Sequence, residues 1–158
     1  MTTIDVGDPC PDFALPDEAG QTVSSQTFND RIFVLYFYPK DDTSGCTAEA
    51  IDFSALADDF DKIGVAVLGV SPDPVKKHAK FKDKHALAVT LLADEEKALL
   101  GAFGTWVEKS MYGRKYMGVE RTTALIGRDG RIVCIWRKVK VPGHAQEVLA
   151  AARDLAAG

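Results

Sequence analysis

The sequence contains no CxxC pair, no apolar run long enough to cross a bilayer, and no excess of basic residues. Each absence removes a class of function. Three cysteines, Cys10, Cys46 and Cys134, stand far apart in 158 residues. A structural zinc site shows closely spaced pairs, and a disulfide scaffold packs more cysteines into a shorter chain, so neither is expected. The odd number leaves at least one thiol unpaired within a monomer. In a reducing compartment such a thiol is either a small buried hydrophobe or a reactive group. The longest apolar run, Ile32 to Tyr38, is far too short for a membrane span. The net charge is -4, whereas a nucleic-acid surface needs a clustered basic excess. The one basic concentration, Lys76, Lys77, Lys80, Lys82 and Lys84, has the spacing of the wet face of a helix. His78, His85 and His144 show no metal-ligand spacing and read as surface or helix-end residues. No metal and no cofactor is expected. The start, Met1-Thr2-Thr3-Ile4-Asp5, lacks a basic segment followed by an apolar stretch, which makes a cytoplasmic location the expectation.

What is present describes one ordinary domain over residues 1–158, with enough apolar residues for one core. Phe13-Ala14-Leu15 reads as the beginning of a short strand, with a turn around Glu18-Ala19-Gly20 leading into Gln21-Thr22-Val23. Ile32 to Tyr38 is a near-continuous apolar and aromatic run, as in a strand buried on both faces, and Pro39 ends it. After a polar loop, Lys40 to Gly45, the spacing of Phe53, Leu56, Ala57 and Phe60 is helical. Val65 to Val70 reads as a second buried strand. Pro74 suits the first turn of a helix running to about His85. Val89 to Leu92 is a third strand, and Asp94 an N-cap for a helix from Glu95 to Phe103. Gly104 to Gly118 reads as a loop rich in glycine and lysine; Trp106, Tyr112 and Tyr116 either line the approach to a pocket or, the favoured reading, pack the loop down. Thr122 to Ile126 and Arg131 to Trp136 flank Gly127-Arg128-Asp129-Gly130, a hairpin signal. A final helix follows Gly143 and runs through Leu155. Strands alternating with helices, closed by a hairpin, imply an α/β fold with a central mixed β-sheet flanked by helices.

Cys46 falls between the buried strand and the amphipathic helix, at the helix N-cap or in its first turn. Cys46-Thr47-Ala48-Glu49 mimics a capping box, with sulfur where a serine hydroxyl would be. Unpaired N–H groups and the positive end of the helix dipole there favour thiolate over thiol. Full ionisation of an ordinary cysteine raises its thiolate population only about 30-fold at neutral pH, or ~2 kcal/mol. Fast chemistry therefore needs a second device that stabilises charge on a leaving group. The Thr43 hydroxyl, the N–H groups of Gly45 and Cys46, and a distant arginine brought close by folding are the candidates.

The segment Tyr38-Pro39-Lys40-Asp41-Asp42-Thr43-Ser44-Gly45-Cys46-Thr47-Ala48-Glu49-Ala50 resembles the active-site segment of the peroxiredoxins. The greatest likeness is to the bacterioferritin comigratory protein/PrxQ subfamily. Pro39, Thr43 and Cys46 meet its Pro-x-x-x-Thr-x-x-Cys pattern. The resemblance extends to Pro11-Asp12-Phe13, Phe53, Leu68-Gly69-Val70-Ser71-Pro72 and Glu120-Arg121-Thr122-Thr123. It implies a thioredoxin-like fold and thiol-dependent reduction of hydrogen peroxide and organic hydroperoxides. By the same resemblance, Cys46 would attack the peroxide and become a sulfenic acid. Thr43 would hold the peroxide, Pro39 would shield the sulfur, Arg121 would stabilise the thiolate and transition state, and Glu49 would position Arg121.

The chain departs from the subfamily in one respect. A resolving cysteine is often found five residues after the reactive one, here Ile51, or on the next helix, here near Phe81-Lys82. Neither position holds a cysteine. Ile132, Cys134 and Trp136 alternate onto one strand face, where Cys134 reads as a packing residue. Cys10, between Pro9 and Pro11, is the alternative resolving partner. The favoured expectation is a 1-Cys cycle in which an external thiol (thioredoxin, glutaredoxin or a small thiol) resolves the sulfenic acid. A monomer or weak dimer is expected. The rival class is a non-catalytic thioredoxin-fold redox sensor, which would be marked by loss of Thr43 or Arg121; both are present.

Overall fold

The apolar run becomes the central strand of the sheet, and its burial on both faces follows from that place. The structure is a computed structural model that describes residues 4–158; part of the Met1–Asp5 segment read above lies outside them. A short antiparallel pair, β1 (Ala14–Pro16) and β2 (Thr22–Ser24), leads through a 3-10 turn at Ser25–Phe28 to β3 (Phe33–Phe37). Then come α1 (Ser44–Ala55), α2 (Ala57–Lys62), β4 (Ala66–Ser71), α3 (Val75–His85), β5 (Thr90–Ala93) and α4 (Ala98–Ala102). The chain finishes with β6 (Trp106–Met111), β7 (Arg114–Val119), β8 (Thr122–Ile126), β9 (Ile132–Trp136) and α5 (His144–Ala157). Five strands form one mixed sheet in the order β5-β4-β3-β8-β9. β3 runs parallel to β4 and antiparallel to β8. No described helix is long and apolar enough to cross a membrane.

Alternation along β3 divides the core between the two faces of the sheet. Val34, Tyr36 and Tyr38 pack with Cys46, Phe53, Phe60, Phe81 and the α5 residues Val148 and Leu149. Phe33, Leu35 and Phe37 pack on the other side with Phe28, Leu99, Leu100 and Phe103. Cys46 and Cys10 therefore belong to opposite faces, because Cys10 packs against the second group.

Four local expectations are corrected. The segment from Gly104 to Gly118 is a β-hairpin, β6 against β7, closed by the two-residue turn Tyr112-Gly113. Both turn residues have positive φ, 52° and 77°, as a type I′ turn requires. Its strands are largely exposed on both sides, so no alternation marks them, and Tyr112 is 98% exposed rather than packed down. Tyr116 is exposed as well, while Trp106 does pack against the core with Lys97 over its ring. Second, a register shift in the β8–β9 pairing sets Ile126 opposite Ile132 but Leu125 opposite Cys134. The extra residue, Val133, sends Ile132 to one core group and Cys134 and Trp136 to the other. Third, the helix after Asp94 starts only at Ala98. Asp94 accepts from the Leu100 N–H at 2.8 Å, across a turn in which Lys97 is left-handed. Fourth, His78 is buried within α3, and His144, a helix-end residue as the first of α5, is buried too.

Candidate active site

Pro39 ends β3 and sends the chain over its carboxyl end, where a parallel strand hands over to a helix. The loop from Pro39 to Thr43 feeds α1, with Thr43 as the extended N-cap residue. Cys46 is then the third residue of the helix, inside its first turn. That corrects the capping box: Thr43 holds the N-cap position without a side-chain capping bond, and its hydroxyl donates instead to the Lys40 carbonyl at 2.9 Å. The first-turn N–H groups of α1 have no acceptor within the helix, so the sulfur sits in the positive field of those groups.

Cys46 is only 1% exposed, yet it is not an ordinary core thiol. Arg121, immediately before β8, donates from Nη2 to Cys46 Sγ at 3.3 Å. Its other terminal nitrogen, Nη1, donates to Glu49 Oε1 at 2.6 Å. One guanidinium thus joins two residues of α1 that lie 72 and 75 positions away in sequence. A cysteine and a glutamate three apart on a helix face the same side, which is why one planar fork reaches both. Gly45 clears the approach. A Cβ there would come within 3.2 Å of Arg121 Nη2.

The charges of this group are set by burial and proximity. Burial pushes the Glu49 carboxyl up to about 7, against the downward pull of Arg121. Glu49 Oε2 has no hydrogen-bond partner among the described residues. Burial also disfavours the Arg121 charge, but Glu49 and Cys46 outweigh it and hold the guanidinium above its ordinary value. Arg121 thus stays positively charged beside the sulfur.

Of the five residues expected at the site, the fold joins Cys46, Glu49 and Arg121 directly. Thr43 is exposed one turn before Cys46, and Pro39 is half-buried at the start of the same loop. Sequence reasoning missed Asp41 and His78, which pair in the interior next to this loop at 2.6 Å. Nothing in the sequence marks a single histidine among lysines as buried. It also missed the approach cleared by Gly45. Asp41, His78 and Asp73 form a group whose ligand-type atoms lie within 4.8 Å of one another. Those atoms are already committed, however. Asp41 accepts from Tyr38 and pairs with His78, and Asp73 Oδ2 accepts from Ser71 and from the Asp41 N–H. The group reads as a hydrogen-bonded cluster, not a cation site.

The comparisons with known proteins identify the family. The model of the AhpC/TSA family matches residues 6–135. Peroxiredoxin Bcp of Bacillus subtilis is 45% identical over 97% of this chain and 98% of its own length. Peroxiredoxin Bcp of Escherichia coli is 39% identical over 94% and 96%. Among solved structures, the Xanthomonas campestris bacterioferritin comigratory protein superposes with a TM-score of 0.90 at 43% identity, covering 96% of this chain and 99% of the other. A PrxQ structure from Xylella fastidiosa gives 0.92 at 38% identity, with 98% of each chain covered. The mixed sheet is accordingly that of the thioredoxin-fold peroxiredoxins, and the chain belongs to the AhpC/TSA family as a thiol-dependent peroxidase of the Bcp/PrxQ type.

Proposed function

We propose that Cys46 is the peroxide-reacting sulfur, and that its cycle is of the 1-Cys kind. The Cys46 thiolate attacks one peroxide oxygen in line with the O–O bond. An S–O bond forms, the O–O bond breaks, and the departing oxygen leaves as water or an alcohol once it takes a proton. Charge moves from sulfur to the departing oxygen during this step. Arg121 stabilises charge at both ends in this reading, and Glu49 holds the guanidinium in place. Thr43 receives the peroxide at the mouth of the loop, its hydroxyl accepting the peroxide O–H while it donates to Lys40. Pro39 covers the sulfur from the strand side. The single observation that carries this reading is the Arg121 fork shared between Cys46 Sγ and Glu49 Oε1. The substrates are hydrogen peroxide and organic hydroperoxides. Alkyl peroxide reduction is named for the related Xanthomonas campestris protein, which supports the organic class.

The positions of the other thiols favour an external resolver. Cys10 packs on the opposite face of the sheet, with its N–H fixed to the Gly130 carbonyl at 2.8 Å. Burial, followed by the nearby Asp12 carboxylate, pushes its thiol up to about 12. Cys134 lies on β9, and burial raises its thiol as well. A resolving thiol attacks as its thiolate, so both are poor candidates. The sulfenic acid on Cys46 instead condenses with the thiol of another molecule, giving a mixed disulfide and water. A second external thiol then releases Cys46. Because Cys46 is 1% exposed, the incoming thiol reaches it only when the first turn of α1 shifts.

Peroxide consumption with an added thiol is expected to vanish in Cys46→Ser and to fall steeply in Thr43→Val. Full activity in Cys46→Ser would refute the assignment. Oxidation by one equivalent of peroxide without reductant, mapped by mass spectrometry, is expected to yield a trappable sulfenic acid at Cys46. A Cys10–Cys46 or Cys46–Cys134 disulfide as the main product would overturn the 1-Cys cycle.

A further inference from the structure

The buried cluster beside the loop has a consequence for catalysis. Tyr38 donates its O–H to Asp41 Oδ1 at 2.6 Å. Asp41 Oδ2 meets His78 Nδ1 at 2.6 Å, and His78 Nε2 meets the Leu92 carbonyl at 2.9 Å. A carbonyl oxygen only accepts, so the Nε2 proton is fixed, and the contact at Nδ1 holds one further proton shared with Asp41. The Asp41 backbone N–H donates to Asp73 Oδ2 at 2.8 Å, and Ser71 Oγ donates to the same oxygen at 2.7 Å. Through these bonds one loop residue is tied to the ends of β3 and β4, to β5 and to α3. Asp41, Asp73 and His78 are all buried. The next residue, Asp42, takes a left-handed φ of 62°, a conformation that strains a non-glycine residue. Its carboxylate is held by Lys84 at 2.7 Å and His85 at 3.0 Å, both at the end of α3.

We infer that Asp41 and His78 are positioning residues for peroxide reduction: their hydrogen-bonded pair holds the segment from Lys40 to Thr43 in the shape that presents Thr43 to peroxide beside Cys46. The inference rests on the proposed role of Thr43 and Cys46. The geometry accounts for why so much polar bonding is spent on one short loop. The Thr43 hydroxyl donates to the Lys40 carbonyl, and Lys40 is bonded to Asp41, so Thr43 is oriented from the side that Asp41 anchors. None of the pair's polar atoms is left free to touch peroxide itself. Their effect passes through the loop.

The test separates positioning from mere stability. Single-turnover oxidation of Cys46 by peroxide is measured beside alkylation of Cys46 by a small uncharged reagent, which does not use Thr43. Asp41→Ala and His78→Gln are expected to lower the peroxide rate by about tenfold or more, since small misplacements of a reacting group carry effects of that size. The alkylation rate is expected not to fall. Asp41→Asn is expected to recover most of the loss. Its amide donates to Nδ1 of a neutral His78, its oxygen still accepts from Tyr38, and His78 Nε2 still reaches Leu92. Tyr38→Phe removes one bond while keeping the ring. It provides a mild variant, with an expected loss of a few-fold should the alanine variant not fold. Leu99→Ala, in the core on the other face of the sheet, supplies a general destabilisation for comparison. The inference is overturned if Asp41→Ala or Tyr38→Phe oxidises at the parent rate, or if Leu99→Ala loses as much peroxide rate at equal stability. Undiminished peroxide consumption by Cys46→Ser would strike the underlying reading instead, a separate outcome.

Discussion

Cys46 and Cys10 are two thiols of one chain on opposite faces of one sheet, and they meet opposite charges. Cys46 is almost wholly buried but faces the Arg121 guanidinium. Cys10 is less buried by exposed area but lies near Asp12, and its thiol is pushed up to about 12 by burial and that carboxylate. Exposure alone would select Cys10 as the reactive group. The two burials differ in their company: at Cys10 burial comes first and the Asp12 carboxylate adds to it, whereas Cys46 is buried against a cation. The helix start contributes at Cys46, yet a helix terminus without Arg121 is worth well under the stabilisation that a fast peroxidase needs.

The sharpest way to break this contrast is to remove the cation. Arg121→Ala is expected to lower the rate constant of Cys46 with peroxide by roughly 10²–10³-fold, about 3–4 kcal/mol, as for loss of a donor aimed at developing charge. Arg121→Lys is expected to recover only part of this, because an ammonium cannot fork between Cys46 and Glu49. Stopped-flow oxidation measures both, and a rate in Arg121→Ala near that of the parent would erase the distinction between the two thiols.

Glu49→Gln should act on stability more than on rate. The amide oxygen still accepts from Arg121, so a rate loss of at most about tenfold is expected. The Glu49 carboxyl has a folded value of about 7 against an ordinary 4.5. Its stabilising contribution is therefore fully present below about pH 4.5 and is lost as pH rises through about 7. The full change is on the order of 3 kcal/mol. Denaturation midpoints across that window are expected to fall with rising pH in the parent and to flatten in Glu49→Gln. Equal slopes would show that burial of this carboxyl is not felt.

A smaller effect is expected from Gly45→Ala, where the new methyl would sit within 3.2 Å of Arg121 Nη2. The guanidinium must give way by a few tenths of an ångström, and a loss of roughly three- to tenfold in the peroxide rate follows from the sensitivity of catalysis to placement. The smallest effect belongs to Cys10→Ser, expected to leave the peroxide rate within about twofold and stability within about 1 kcal/mol.

The parts of this molecule that were legible in the sequence are those whose local pattern matched their final setting. Ile32 to Tyr38 is apolar throughout because the strand is buried on both faces, and the Gly127–Gly130 turn carries its own signal. Cys46 was legible as a helix-start residue since Phe53, Leu56, Ala57 and Phe60 after it are spaced as on one helix face. The hairpin of β6 and β7 was not legible, because strands wet on both sides need no alternation and Tyr112-Gly113 is an unusual choice for its turn. Val133 was hidden for a different reason: a bulge is a property of the pairing between two strands, and no single-strand pattern announces it. His78 stands among lysines on a wet-looking helix, and its partners, Asp41 and the Leu92 carbonyl, lie 37 and 14 residues away. The link between Arg121 and Cys46 was available only through the family resemblance, since the helix and β8 meet only in the folded chain.

The most direct measurement exposes the parent and Arg121→Ala to substoichiometric peroxide, traps sulfenic acids, and quantifies oxidation at each cysteine by mass spectrometry. The expected result is oxidation almost wholly at Cys46 in the parent, with that preference collapsing in the variant. Equal oxidation of Cys10 and Cys46 in the parent, or an unchanged preference without Arg121, would contradict the account.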